Sequence, residues 1–93
     1  MRGIEDWIFD DAVLADDGRY QVNGRYRHAR TYYGDLDTSG VGFDWHGMLI
    51  GPVTGYGDTA QAARDAAAYA AGLVDGRNNE IMRRANYQIM GAL

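Results

Sequence analysis

Between Trp45 and Asp75 the chain reads WHGMLIGPVTGYGDTAQAARDAAAYAAGLVD, an extended apolar run that turns through Gly55, Tyr56 and Gly57 into a segment dominated by alanine. No other stretch limits the fold as much. A helix whose buried face carries only small side chains must lie close against a second layer that supplies the bulk. Ala60, Ala62, Ala63, Ala66, Ala67, Ala68, Ala70 and Ala71 provide the strongest intrinsic helix former. Ala63, Ala67, Ala70 and Val74, with Ala66 and Leu73 beside them, make a stripe at the helical period. Asp58 is placed to cap the first turn and Gln61 to complete a capping box, while Gly76 is the expected stop. The predicted helix covers about 58–75.

The layer beneath it is legible upstream. Tyr20, Val22, Gly24, Tyr26 and His28 alternate with Arg19, Gln21, Asn23, Arg25 and Arg27, the signature of a half-buried strand with its arginine face outward. A strand from about Trp7 to Leu14 leads into it through a turn at Asp16, Asp17 and Gly18. Residues 32–40, YYGDLDTSG, read as a loop, and Val41 to Ile50 as a third strand. Pro52 limits Val53 to Tyr56 to a short edge strand. Asn78 or Asn79 can cap a second helix to about Met90, in which Ile81, Ala85 and Ile89 share a face and Glu80 can pair with Arg83 or Arg84. The expectation is one α+β domain over residues 1–93: an antiparallel three- or four-stranded sheet over about 7–56, the Ala-rich helix on one face, and a second C-terminal helix over 79–90.

Composition removes several functions. The 93 residues include no cysteine, which excludes disulfides, thiolate nucleophiles and thiolate metal sites. No apolar run is long enough to span a bilayer, and the opening MRGIEDWIFDDAV lacks the pattern of a secretory signal, so a cytoplasmic location is expected. All nine basic residues are arginine. Charge is also segregated: residues 1–18 carry six acids, 19–30 four arginines and no acid, and 31–58 four aspartates and no arginine. Such blocks suit paired neighbouring strands.

Three motifs invite chemistry without completing it. Gly55-Tyr56-Gly57-Asp58-Thr59-Ala60 has the dinucleotide form G-x-G-x-x-A, but no second strand follows the helix, and a capped turn explains the same letters. Asp35-Leu36-Asp37-Thr38-Ser39-Gly40 opens like a calcium loop, yet His46 stands where a bidentate glutamate belongs. His28 and His46 have no third ligand or positioned nucleophile in sequence. The expectation is therefore no cofactor, no metal, no catalytic residue and no enzymatic activity.

Two surfaces remain as binding candidates. Asp10, Asp11, Asp16, Asp17, Asp35 and Asp37 form an acidic set able to compete for an arginine-rich groove. Arg19, Arg25, Arg27 and Arg30 with Tyr26, Tyr32 and Tyr33 form an alternative strip that combines stacking with phosphate contact, as single-stranded nucleic acid requires, although the net charge of −4 opposes attraction to a polyanion.

Gly57-Asp58-Thr59 followed by Ala63, Ala66 and Ala67 resembles the strand-to-helix junction of HicB-type antitoxins, which implies a non-catalytic partner of a small ribonuclease toxin. In size, acidity and lack of cysteine the chain is also similar to small α+β phage proteins, including anti-CRISPR proteins. That resemblance implies an inhibitor that blocks a nucleoprotein defence complex in a bacterial host by surface competition, with a larger protein or nucleoprotein complex as partner and self-association into a homodimer left open.

Overall fold

The computed structural model describes residues 4–91, and their side chains through residue 85. After a helical turn at Ile4–Asp6 come β1 (Trp7–Phe9), β2 (Val13–Leu14), β3 (Tyr20–Tyr26), β4 (Gly42–Phe43), β5 (Leu49–Ile50), β6 (Val53–Gly57) and one helix, α1 (Ala60–Gly91). The α+β reading holds. β3 is the centre of a four-stranded antiparallel sheet, with β1 and β2 along one side and β6 along the other. The registers run Trp7 opposite Tyr26, Val13 opposite Gln21 and Val22 opposite Gly55. The alternation holds within β3, where Val22, Gly24 and Tyr26 are buried and Asn23 is exposed, but it ends with the strand at Tyr26: His28, expected on the buried face, is exposed beside Arg27.

The helix lies on that buried face, and two glycines set how closely. A Cβ built on Gly55 would stand 2.1 Å from the Ala67 amide nitrogen and 2.4 Å from the Ala63 carbonyl oxygen, and one on Gly57 would stand 2.6 Å from the Ala63 nitrogen. Strand and helix backbones therefore meet with no side chain between them. Val22, Ala63 and Ala67 form one end of the core. Trp7, Tyr26, Ala29, Ile50, Val53 and Ala71 form the other, where the Trp7 and Tyr26 rings meet edge to face at 5.8 Å. The bulk comes from the sheet, as expected. Leu73, placed on the predicted stripe, is instead 57% exposed, and Ala71 takes the buried position.

Two corrections concern the helix. Thr59, not Asp58, caps it: the Thr59 hydroxyl accepts the Ala62 N–H at 3.0 Å, and Gln61 reaches forward to Asp65 at 2.9 Å instead of closing a capping box. The second helix is not a separate element, because α1 continues through Gly72, Gly76 and Asn78. Tertiary anchoring overrides the glycine signal. The Trp7 indole N–H donates to the buried Asp75 carboxylate at 2.9 Å, Asn78 donates to the Asp44 carboxylate and the Leu49 carbonyl, and Glu80 then holds Arg83 and Arg84. Of the face assigned to that second helix, the Ile89 side chain lies outside the described residues. At 32 residues the helix is about 48 Å long. It accounts for an extent of 56 × 27 × 20 Å and a radius of gyration of 15.4 Å, against about 12 Å for a compact chain of this length.

Two predicted strands are broken. The stretch 7–14 divides at Asp10 to Ala12, where the Asp10 N–H still reaches the Asn23 carbonyl, so one edge of the sheet is short and interrupted. The stretch 41–50 folds back into a hairpin of β4 and β5. Its turn is fixed by the Asp44 carboxylate, which accepts the amides of His46 at 2.8 Å and Met48 at 3.0 Å, and by Gly47 at φ 79°. Nor is 32–40 only a loop: Arg30 forms β-bridges to Leu36 on one side and Phe43 on the other, which extends the hairpin into a small second sheet.

A candidate interaction surface on the small sheet

Three turns, one in the large sheet and two in the small, share one design. In Ala15–Arg19, Thr31–Asp35 and Asp44–Met48 the first residue's N–H bonds the fifth residue's carbonyl, and the fourth residue, Gly18, Gly34 or Gly47, donates back to the first. Each of those glycines has φ between 79° and 88°, the left-handed conformation that closes a three-residue hairpin loop and that glycine adopts at least cost. Two residues are left at each tip. They are Asp16 and Asp17 in the first turn, Tyr32 and Tyr33 in the second, Trp45 and His46 in the third.

The last two turns both belong to the small sheet, and their tips are aromatic and open. Tyr32 and Tyr33 are 85% and 88% exposed and Trp45 is 59% exposed. The tyrosine rings meet edge to face at 5.5 Å, and the indole lies 3.6 Å from the His46 ring at an angle of 32°. Between the turns runs a cleft of about 380 Å³ whose walls are Thr31, Tyr32 and Gly34 on one side and Asp44 and Gly47 on the other, with Arg30 and Phe43 also lining it.

Register explains why this face carries apolar groups into water. Leu36 pairs with Arg30, Arg30 with Phe43, and Phe43 with Leu49, so all four stand in a row on one side. Leu49 is 73% exposed. Their neighbours Ala29 and Ile50 point the other way, into the core. A protein this small gains nothing in stability from such a row, and an apolar patch ringed by polar groups marks a contact surface.

The acidic candidates divide between two places. Asp10 and Asp11 occupy the break between β1 and β2, and Asp16 and Asp17 the turn beyond, so these four line one edge of the large sheet. Asp35 and Asp37 flank Leu36 on the small sheet, beside the aromatic tips. The Arg/Tyr strip is likewise distributed. Arg19 pairs with Asp17 at 2.9 Å and lies 4.7 Å over the Tyr56 ring. Arg25 stands about 20 Å further along β3, half covered by Gly40, whose Cβ would meet the Arg25 Cβ. Arg27 is exposed just past the strand end. Only Arg30, Tyr32 and Tyr33 fall in the cleft region, and Tyr26 is in the core. Arg30, a member of the predicted Arg/Tyr strip, lines the cleft, whereas Trp45, Leu36 and Leu49 are site residues that sequence reasoning misses, and His46 enters it only as a metal or acid–base candidate. The spacing Asp44-x-x-Gly47 was the available signal, since Ala15-x-x-Gly18 and Thr31-x-x-Gly34 repeat it.

Two turn carboxylates are tuned by their surroundings. The Arg19 backbone N–H, and then its guanidinium, hold Asp17 below its ordinary pKa, and the Ser39 hydroxyl and N–H do the same for Asp37. A carboxylate whose pKa is lower folded than unfolded contributes stability above the unfolded value and loses it as pH falls through the folded one. Carboxyl-carbon NMR titration is therefore expected to show Asp17 and Asp37 titrating below the ordinary aspartate value of about 4, with the 15–19 and 37–40 turns loosening as pH falls through that range.

Among the described residues no group of three or more His, Cys, Asp or Glu side chains is arranged to hold a metal ion, and no helix is long and apolar enough to cross a membrane. Compared with protein-family models, with curated proteins and with solved structures, the chain matches none.

Proposed function

We propose that this protein is a recognition module that acts without chemistry, as an inhibitor that covers a working surface of a larger protein or nucleoprotein complex with the outer face of its small sheet. The observation that carries this is the pair of glycine-closed turns holding Tyr32, Tyr33 and Trp45 in solvent, with His46 half-buried against the indole, on either side of the Arg30–Phe43 cleft. Rigid aromatic anchors with an arginine among them are the residues that dominate protein interfaces, because they bring large contact area at low entropic cost. Asp35 and Asp37, on either side of Leu36 in the same small sheet, add negative charge to this part of the protein. A groove built for nucleic acid meets that same combination in its own ligand, and this supports the anti-CRISPR-like reading.

The test is phage plating on a strain whose CRISPR interference is active, with the protein expressed in the same cells. Wild-type protein is expected to restore plaques. The Tyr32→Ala, Tyr33→Ala, Trp45→Ala triple variant is expected to fail while its urea-unfolding stability stays within about 0.5 kcal/mol per exposed site. Each anchor is expected to weaken the captured complex by roughly 2 kcal/mol, about 30-fold. Restoration by the triple variant would remove the small sheet from the mechanism, and no restoration by wild type would remove the defence complex as target. A second reading, the HicB-like antitoxin, is favoured by one feature: β6 passes directly into α1 through Gly57, Asp58 and Thr59. Rescue of cells from a co-expressed ribonuclease toxin would select it.

A further inference from the structure

We infer that the cleft of the small sheet takes a proline-rich segment of the partner, in the polyproline II conformation and flanked by a basic residue. The inference rests on the small sheet being the contact face and names what that face holds.

The geometry suits a straight, narrow ligand. Arg30 and Phe43 pair antiparallel, so the turns that follow them, Thr31–Asp35 and Asp44–Met48, lie at opposite ends of the small sheet. With two residues along each strand and one strand spacing across, Tyr32 and Trp45 stand about 14 Å apart on the diagonal. The cleft runs between them, over Arg30 and Phe43. Each ring is braced by its neighbour, Tyr32 edge to face by Tyr33 and the indole by His46. Polyproline II rises 3.1 Å per residue, so about five residues join the two rings. Flat, exposed aromatic walls are the surfaces on which proline rings pack.

Hydrogen bonding separates this ligand from other peptides. Arg30 already exchanges both backbone bonds with Phe43, and the Thr31 N–H bonds the Asp35 carbonyl, so the floor has no open ladder for an added β-strand. Side-chain donors remain: the Arg30 guanidinium, the Tyr32 hydroxyl and the Trp45 indole N–H. Among the described residues none of the three has a hydrogen-bond partner. The nearby Asp44 carboxylate is occupied by its own turn and by Asn78. A ligand rich in carbonyl acceptors and poor in N–H donors complements that set. Proline has the carbonyl and lacks the N–H, and polyproline II leaves its carbonyls unbonded. In a helix all but the last four carbonyls are already bonded.

Charge decides between a peptide and a nucleic acid, which also stacks on aromatic rings. Across residues 29–50 Arg30 is the only arginine or lysine, against Asp35, Asp37 and Asp44. A polyanion is repelled by that balance, whereas a basic residue beside the proline run is drawn to Asp35 and Asp37. A second copy is not the source, because each chain contains one proline, Pro52.

The test is titration of a capped ten-residue peptide, a proline run ending in two arginines, into the 15N-labelled full chain. Saturable shifts of the Trp45 indole and the Arg30 side-chain signals are expected. Alanine in place of the prolines is expected to weaken binding at least tenfold, and glutamate in place of the arginines severalfold. Trp45→Ala and Tyr32→Ala are each expected to cost about tenfold with the remaining amide spectrum unchanged, since both side chains are exposed. No saturable shift with the proline peptide would overturn the inference. So would equal affinity for the alanine peptide, binding indifferent to Trp45→Ala, or an oligothymidylate that shifts the same signals in the peptide's place. If the proline peptide fails while the triple variant still loses plaque restoration, the ligand is wrong and the contact face stands. If the peptide binds while the triple variant still restores plaques, the ligand stands and the inhibitor reading falls.

Discussion

Gly55→Ala is expected to lower stability by about 3 kcal/mol or more, a drop in Tm of roughly 15 °C for a domain of this size. The new methyl would sit 2.1 Å from one backbone atom of α1 and 2.4 Å from another, and backbone cannot rotate aside as a side chain can. The helix would have to lift along its length, opening the contact that buries Val22, Ala63 and Ala67. A domain of 93 residues commands only about 5–14 kcal/mol in total, so most of its margin would be lost. The same substitution at Gly72, where nothing lies within 4 Å, is expected to have the opposite sign, raising stability by about 0.5–1 kcal/mol through helix propensity. Thermal unfolding of the two variants side by side is the measurement. Equal effects would mean that the helix does not rest on β6 as described.

Asp44→Ala is expected to cost about 2–4 kcal/mol and to remove partner binding altogether. The carboxylate is 3% exposed. It accepts two amides of its own turn and the Asn78 side chain, and deleting it strands those donors in a dry site. The small sheet would lose one of its ties to α1, keeping the Asn78 bond to the Leu49 carbonyl, and the turn that sets Trp45 and His46 would lose its brace. Hydrogen exchange should locate the damage: amides of β4, β5 and residues 44–48 are expected to open while those of β3 stay protected. Asn78→Ala is expected to show the same pattern more weakly, because the turn keeps its own bonds. Uniform loss of protection would show that the small sheet is not a separate cooperative unit.

Where periodicity and packing agreed, the sequence was sufficient. The alternation in Tyr20 to Tyr26 placed β3 and its buried face correctly, and the alanine run placed the helix. The glycines of Gly55-Tyr56-Gly57 were visible as a motif, but their purpose depends on the distance to a helix that only the fold supplies. The stretch 41–50 misled because Val41, Phe43 and Trp45 alternate like a strand, while the stronger fact is local: Asp44 bonds the amides two and four residues on, and Gly47 reverses the chain. In sequence Asp75 reads as the end of one helix and Asn78 as the cap of the next. They are buried because Trp7, Asp44 and Leu49 supply partners 68, 34 and 29 residues away, a pairing no local window contains. The aromatic surface was half seen for the same reason: Tyr32 and Tyr33 stand in an obvious loop, but Trp45 was assigned to a strand.

The repeated turn design bears on how such a protein can change over generations. Because the backbones of the Thr31–Asp35 and Asp44–Met48 loops are set by their first and fourth residues, the side chains at those two crowns contribute little to folding and are free to vary. A lineage pressed by a shifting adversary could redraw what it presents one dipeptide at a time, each trial leaving the chassis untouched.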